Sequence, residues 1–127
     1  MTELILDASS ILALLNSETG AEIVQQALPE AKISTINLAE VVTRLTLIGM
    51  SSAEIEQVMN LLGLESVVFD EEQALQAGIM ATLTQGFGLS LGDRACLALG
   101  LLTNTPVLTA DRAWQNASLP VEIKLIR

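Results

Sequence analysis

The 127-residue chain contains no histidine. That removes histidine-based triads, imidazole acid–base pairs and most zinc sites at once. It has one cysteine, Cys96, so no internal disulfide can form, and a reducing cytosol is the natural setting. Cys96 lies among Ala95, Leu97 and Ala98, the surroundings of a buried inert thiol rather than a nucleophile. Basic residues are scarce: six against fifteen acids, for a net charge of -9. Such a surface repels phosphates at long range and suits a divalent cation or a basic partner protein. A nucleic-acid function therefore requires a metal or a local basic rim to reverse the field. No apolar run approaches the ~18 residues of a membrane span. The opening MTELILDASS has no basic region, and Asp7 interrupts its apolar run, unlike a secretory signal. What remains for chemistry is carboxylates, hydroxyls, a few arginines and lysines, or a bound ion.

What is abundant is apolar sequence, 50% of the chain, enough for one domain over 1–127 with a proper core. Leu4 to Leu6 reads as a short buried strand ending at Asp7, followed by a helix from Ser9 to Leu15. Thr19 and Glu22 have the spacing of a capping box for a second helix, which Pro29 ends. Lys32 to Ile36 is strand-like, Asn37 can cap a helix through Ile48, and Gly49 stops it. Ser51 with Glu54 predicts a further capped helix ending at Gly63. Ser66 to Phe69 reads as a third strand, followed from Asp70 by a helix to about Thr84. Gln85 to Leu89, with two glycines, is the loosest tract. Ser90 caps a helix to about Leu102, Pro106 to Thr109 is a fourth strand and Val121 to Ile126 a fifth. Strands that alternate with helices, and are apolar on both faces, predict a three-layer α/β/α sandwich around a short parallel sheet.

In such sheets function gathers at the carboxyl ends of the strands. Asp7 ends the first strand and Asp111 follows the fourth; Asp93 and Glu40 fall near the starts of the helices capped by Ser90 and Asn37. Four acids thus converge on one rim, and oxygen-only clusters of this kind bind Mg²⁺ or Mn²⁺. Each acid also has a plainer role. Asp7 and Asp111 can cap the helices that follow them, and Ser90 with Asp93 completes a capping box. Glu40 lies opposite the stripe Leu38, Val41, Val42 and Leu45, where a solvated glutamate is ordinary. Of the four aspartates only Asp70 lies outside the constellation. Ser9 and Thr109 sit beside the acids and can hydrogen-bond a carboxylate or a turn. Arg94 and Arg112 each follow a cluster acid and can meet a phosphate. Gly86-Phe87-Gly88 reads as a hinged loop, and Trp114 as a packing anchor.

The segments LILDASSILALL, ISTINLAEVV, LSLGDRACLALG and VLTADRAW resemble, in that order, the four acidic motifs of PIN-domain nucleases, and in particular VapC-type toxins of type II toxin–antitoxin systems. The resemblance extends to VEIKLIR as the final strand, so it spans essentially the whole chain. It implies Mg²⁺- or Mn²⁺-dependent RNA cleavage, frequent homodimers, and inhibition by a small VapB-type antitoxin in the cytoplasm. It places the family's acids on Asp7, Glu40, Asp93 and Asp111, and its small hydroxyl on Thr109. The expected roles are metal binding by Asp7, Asp93 and Asp111, with Glu40 completing the site or positioning water. Two rivals are a catalytically idle PIN-like binding module and a receiver-like phosphate-handling domain built on Asp70, Thr109 and Lys124. Surplus apolar residues between Asn37 and Leu62, notably Leu47, Ile48 and Met50, predict a dimer through that region.

Overall fold

The computed structural model describes residues 3–127; Met1 and Thr2 of the expected 1–127 domain lie outside the described residues. Five strands, β1 (Leu4–Leu6), β2 (Ala31–Ser34), β3 (Glu65–Val67), β4 (Val107–Thr109) and β5 (Ile123–Leu125), form one sheet in the order β3-β2-β1-β4-β5. Every pairing is parallel. The chain moves outward from β1 through β2 to β3, then crosses back to β4 on the other side of β1. That reversal leaves a crevice above the carboxyl ends of β1 and β4, the place where open parallel sheets bind ligands.

Side chains of a strand alternate between faces, and here both faces are apolar. Leu6, Ile33 and Leu108 meet Ile11, Val24, Val41 and Ile55, which come from α1 (Ala8–Leu15), α2 (Ala21–Ala27), α3 (Thr35–Leu47) and α4 (Ser52–Leu62). Ile5 and Val107 point the other way, to Ala77 of α5 (Glu71–Ile79), Cys96, Leu97 and Leu99 of α7 (Leu91–Thr103), and Trp114. The short α6 (Ala81–Thr84) follows α5. Burying each large aliphatic side chain is worth roughly 1.5–3 kcal/mol, so both layers are needed to hold such short strands in place. The result is the α/β/α sandwich expected from the sequence.

Several local expectations shift. The second strand ends at Ser34, whose hydroxyl accepts from the Ile36 amide, so Ser34 rather than Asn37 caps α3. Asn37 is buried inside the helix instead. The Thr19–Glu22 capping box does not form: α2 starts from Gly20 in a left-handed conformation (φ 97°) without a side-chain cap. A Cβ at Gly20 would sit 2.6 Å from the Ile126 carbonyl oxygen, so packing against the residue that follows β5 sets that turn. The helix expected from Asp70 to Thr84 breaks at Met80. The Ser51–Glu54 and Ser90–Asp93 capping boxes both form.

Candidate active site

Asp7 follows β1 and caps α1, its Oδ1 accepting from the Ser10 amide at 2.9 Å. Ser9 Oγ lies 2.8 Å from both carboxylate oxygens, and Thr109 Oγ1 donates to Oδ2 at 2.6 Å. The carboxylate is therefore fixed in orientation as well as position. Burial pushes the Asp7 carboxyl up to about 6 from 3.8, while the bonds from Thr109, Ser10 and Ser9 pull the other way. Desolvation wins because these neutral donors replace only part of the lost hydration.

Thr109 links two of the acids. Its hydroxyl accepts from the Asp111 amide at 3.0 Å while donating to Asp7, and Ser9 Oγ accepts from the Ala110 amide at 3.0 Å. The backbone after β4 is thereby tied to the first carboxylate. Asp111 itself caps a 3₁₀ turn (Arg112–Gln115), its Oδ1 accepting from the Ala113 amide at 2.9 Å.

Asp93 sits in the first turn of α7, where its Oδ2 accepts from the Ser90 amide at 2.9 Å. Burial raises its carboxyl above the ordinary range, the Ser90 hydrogen bonds oppose this, and the negative charge of Asp111 adds to the rise. Its capping role is thus real, yet it does not remove Asp93 from the company of the other acids.

Glu40 is held by Asn37, the residue whose sequence position suggests only a helix cap. Buried Asn37 donates through Nδ2 to Glu40 Oε1 at 2.8 Å and to the Gly92 carbonyl at 2.9 Å, joining α3 to α7. Gly92 makes room for this arrangement, since a Cβ there would stand 2.5 Å from either Glu40 carboxylate oxygen. The clue in the sequence was Asn37 three residues before Glu40, on the same helical face.

All four predicted acids line one cleft of about 570 Å³, together with Ser9 and Arg44. Among the described residues no three carboxylates stand in a ready-made ligand cage. Each is turned into a local hydrogen bond with a backbone amide, a hydroxyl or Asn37. The donor set is entirely oxygen and electrostatically strained, since burial raises Asp7 and Asp93 and Asp111 repels Asp93. It fits a hard divalent cation, which would relieve that strain.

The other candidates have structural roles. Arg94 Nη1 donates to the Ala77 carbonyl at 3.0 Å, and Arg112 Nε to the Arg127 carbonyl at 3.1 Å, so neither faces the cleft. Asp70 caps α5 through the Gln73 amide and Lys124 pairs with Glu122, which leaves no receiver-like cluster with Thr109. Cys96 is buried, and its thiol is pushed well above the usual range by burial, with the charges of Asp7, Asp93 and Glu40 adding to the effect. Trp114 is fully buried, a packing anchor as its sequence position suggests.

A family model described as PIN domain matches residues 4–119. No curated protein sequence matches the chain. Among solved structures, the chain is similar to a DNA-bound VapBC from Salmonella typhimurium (TM-score 0.72, 19% identity, 100% of each chain covered). It is also similar to a toxin–antitoxin complex from Klebsiella pneumoniae (TM-score 0.75, 18% identity, 98% of each chain). A third similar structure is VapBC2 from Rickettsia felis bound to a promoter DNA fragment (TM-score 0.75, 14% identity, 98% of each chain). At these identities the likeness establishes the shared fold.

Proposed function

The chain belongs to the PIN-domain family, and from that premise we propose that it is a metal-dependent endoribonuclease acting as the toxin of a type II toxin–antitoxin pair. The observation that carries this reading is the convergence of Asp7, Glu40, Asp93 and Asp111, from four separate segments, on one cleft at the switch point of the sheet. Asp7, Asp93 and Asp111 would hold Mg²⁺ or Mn²⁺. When bound, the ion supplies Lewis acidity, making water a better nucleophile near neutral pH and offsetting charge on the phosphodiester.

The chain's own residues do the rest. Ser9 and Thr109 fix both oxygens of Asp7, so the ligand is oriented before any substrate arrives. Thr109 also keeps Asp111 in step with Asp7 through the Asp111 amide. Asn37 and Gly92 hold the Glu40 carboxylate near the mouth of α7, where it can complete the ligand set or orient the attacking water. Hydrolysis forms a bond from water oxygen to phosphorus and breaks one ester P–O bond, with the departing alkoxide taking a proton.

The similar complexes support a VapB-type antitoxin as partner. A pocket of carboxylates favours an arginine as the inserted inhibitory side chain, because guanidinium and carboxylate form paired charge-assisted hydrogen bonds. Leu47, Ile48 and Leu61 are exposed on α3, its end and α4, and this surface is proposed to close a homodimer. No helix among the described residues is long and apolar enough to cross a membrane; a cytoplasmic enzyme working as one domain is part of the same proposal. Induced expression of wild type and Asp93→Asn in parallel, with growth scored and new RNA ends mapped, tests the reading. Toxicity and cleavage that depend on Asp93 support it. No cleavage of varied RNAs by pure, Mg²⁺- or Mn²⁺-loaded protein would favour an idle binding module instead.

A further inference from the structure

A nuclease in a chain of net charge -9 must hold a polyanion, and only six basic residues are available to do so. Five of the six have partners among the described residues. Lys32 pairs with Glu3 and Glu65, Lys124 with Glu122, and Arg127 with Glu18. Arg94 and Arg112 donate to backbone carbonyls. The sixth is Arg44, whose side chain has neither an ion pair nor a hydrogen bond among the described residues. It is also the one basic residue lining the carboxylate cleft.

An arginine beside four acids normally pairs with one of them. Glu40 is the obvious partner, four residues earlier on α3 and so on the same face. It is instead held by Asn37 against Gly92. Asp7 is engaged by Ser9, Ser10 and Thr109, Asp93 by the Ser90 amide and Asp111 by the Ala113 amide. Each carboxylate of the cleft thus has a partner of its own and none is paired with Arg44, whose guanidinium keeps its donors free. Its place in the last turn of α3 complements the helix dipole, which accounts for a basic residue there but not for its facing the cleft.

Resting on the nuclease reading, we propose that Arg44 is the phosphate anchor of the cleft, binding a backbone phosphate of single-stranded RNA next to the scissile linkage. It provides the local positive rim that the overall charge denies. A guanidinium suits this task because its planar fork can meet two phosphate oxygens at once, and because it holds its charge at any working pH. With a single anchor, affinity is modest and almost sequence-blind at this contact, since a phosphate carries no base information. The aromatic side chains do not line this cleft, so stacking adds nothing there.

The test uses the full chain and a short fluorescein-labelled single-stranded RNA of mixed sequence. Binding is read by anisotropy in an Asp93→Asn background, with Mg²⁺ present, from ~50 to ~200 mM KCl. Arg44→Gln in that background should weaken binding about tenfold, the effect of losing one charge-assisted contact. It should also reduce the slope of log affinity against log salt by about 0.7, the value for one phosphate on a single strand. Arg44→Lys should keep the slope and recover part of the affinity. In the otherwise wild-type enzyme, Arg44→Gln should raise KM more than it changes kcat. If wild type cleaves while Arg44→Gln leaves Kd, slope and KM unchanged, the anchor assignment is wrong and the nuclease reading stands. If nothing cleaves but Arg44→Gln still weakens RNA binding, the reverse holds. RNA binding by none of the proteins overturns both, and loss of antitoxin binding alone would reassign Arg44 to the protein partner.

Discussion

Replacing Asp7 by asparagine should stabilise the metal-free protein, by an amount that depends on pH. The Asp7 carboxyl is lifted to about 6 from 3.8 chiefly by burial, and the side chain is almost inaccessible to solvent, so screening does little to soften the effect. At 1.36 kcal/mol per pH unit, ionising it in the folded state costs roughly 3 kcal/mol more than in the unfolded chain. Because the folded value is the higher one, its contribution to stability is fully present below about pH 4. It is lost as pH rises through about 6. Asparagine never ionises, can still accept from the Ser10 amide, and can donate to Thr109, whose own proton has Ser9 Oγ 3.3 Å away. Most other titrations occur in both proteins and cancel in the difference. Melting curves of wild type and Asp7→Asn in EDTA should therefore nearly coincide near pH 4 and separate between pH 4 and 6. The mutant should end roughly 10 °C higher by pH 8, taking ~3–5 °C per kcal/mol for a domain of this size. A gap that does not vary with pH, or a mutant that melts lower at pH 8, would refute the assignment of Asp7 as a buried, strained carboxylate.

Mg²⁺ or Mn²⁺ at about a hundred times its dissociation constant should raise wild-type stability by about 2.7 kcal/mol and should barely move Asp7→Asn; an equal rise in both means that the ion binds elsewhere. Gly92→Ala should leave the melting temperature within a few degrees, because only the flexible end of Glu40 must give way, yet lower RNA cleavage at least tenfold; unchanged cleavage would detach Glu40 from the chemistry. Asn37→Ala removes the bonds that tie Glu40 and the Gly92 carbonyl to α3 and should cost about 1 kcal/mol, seen as a lower denaturant midpoint, together with reduced activity. In a purified complex, replacing one arginine of the antitoxin by alanine should restore cleavage, and failure of every single replacement would contradict insertion into the cleft.

The strands and the acids were legible because the signals coincide. Leu4 to Leu6 and Val107 to Thr109 are short and apolar, as central strands are, and each is followed within two residues by an aspartate. The almost continuous apolar sequence of α7 announced a buried helix, which made a carboxylate at its mouth conspicuous. The stretch ISTINLAE was harder, because Ser34, Thr35 and Asn37 are all able to cap. Burial of Asn37 between α3 and α7 decided the matter, and that is tertiary information. The Thr19–Glu22 box failed for the same kind of reason, since contact between Gly20 and Ile126 overrides a local pattern. Arg44 is not legible in the sequence, because its meaning lies in the side-chain partners it lacks, which no spacing rule can reveal.

The bond from Thr109 to Asp7 joins residues 102 positions apart. A chain emerging from the ribosome has Asp7, Glu40 and then Asp93 exposed well before β4 exists to dock beside β1. Until it does, Asp7 has no hydroxyl from Thr109 to hold it and Asp111 is absent, so the growing polypeptide carries no complete site. At about 5–20 residues per second, the interval lasts several seconds. The site is thus completed only when a strand from the C-terminal end of the chain docks on the N-terminal one.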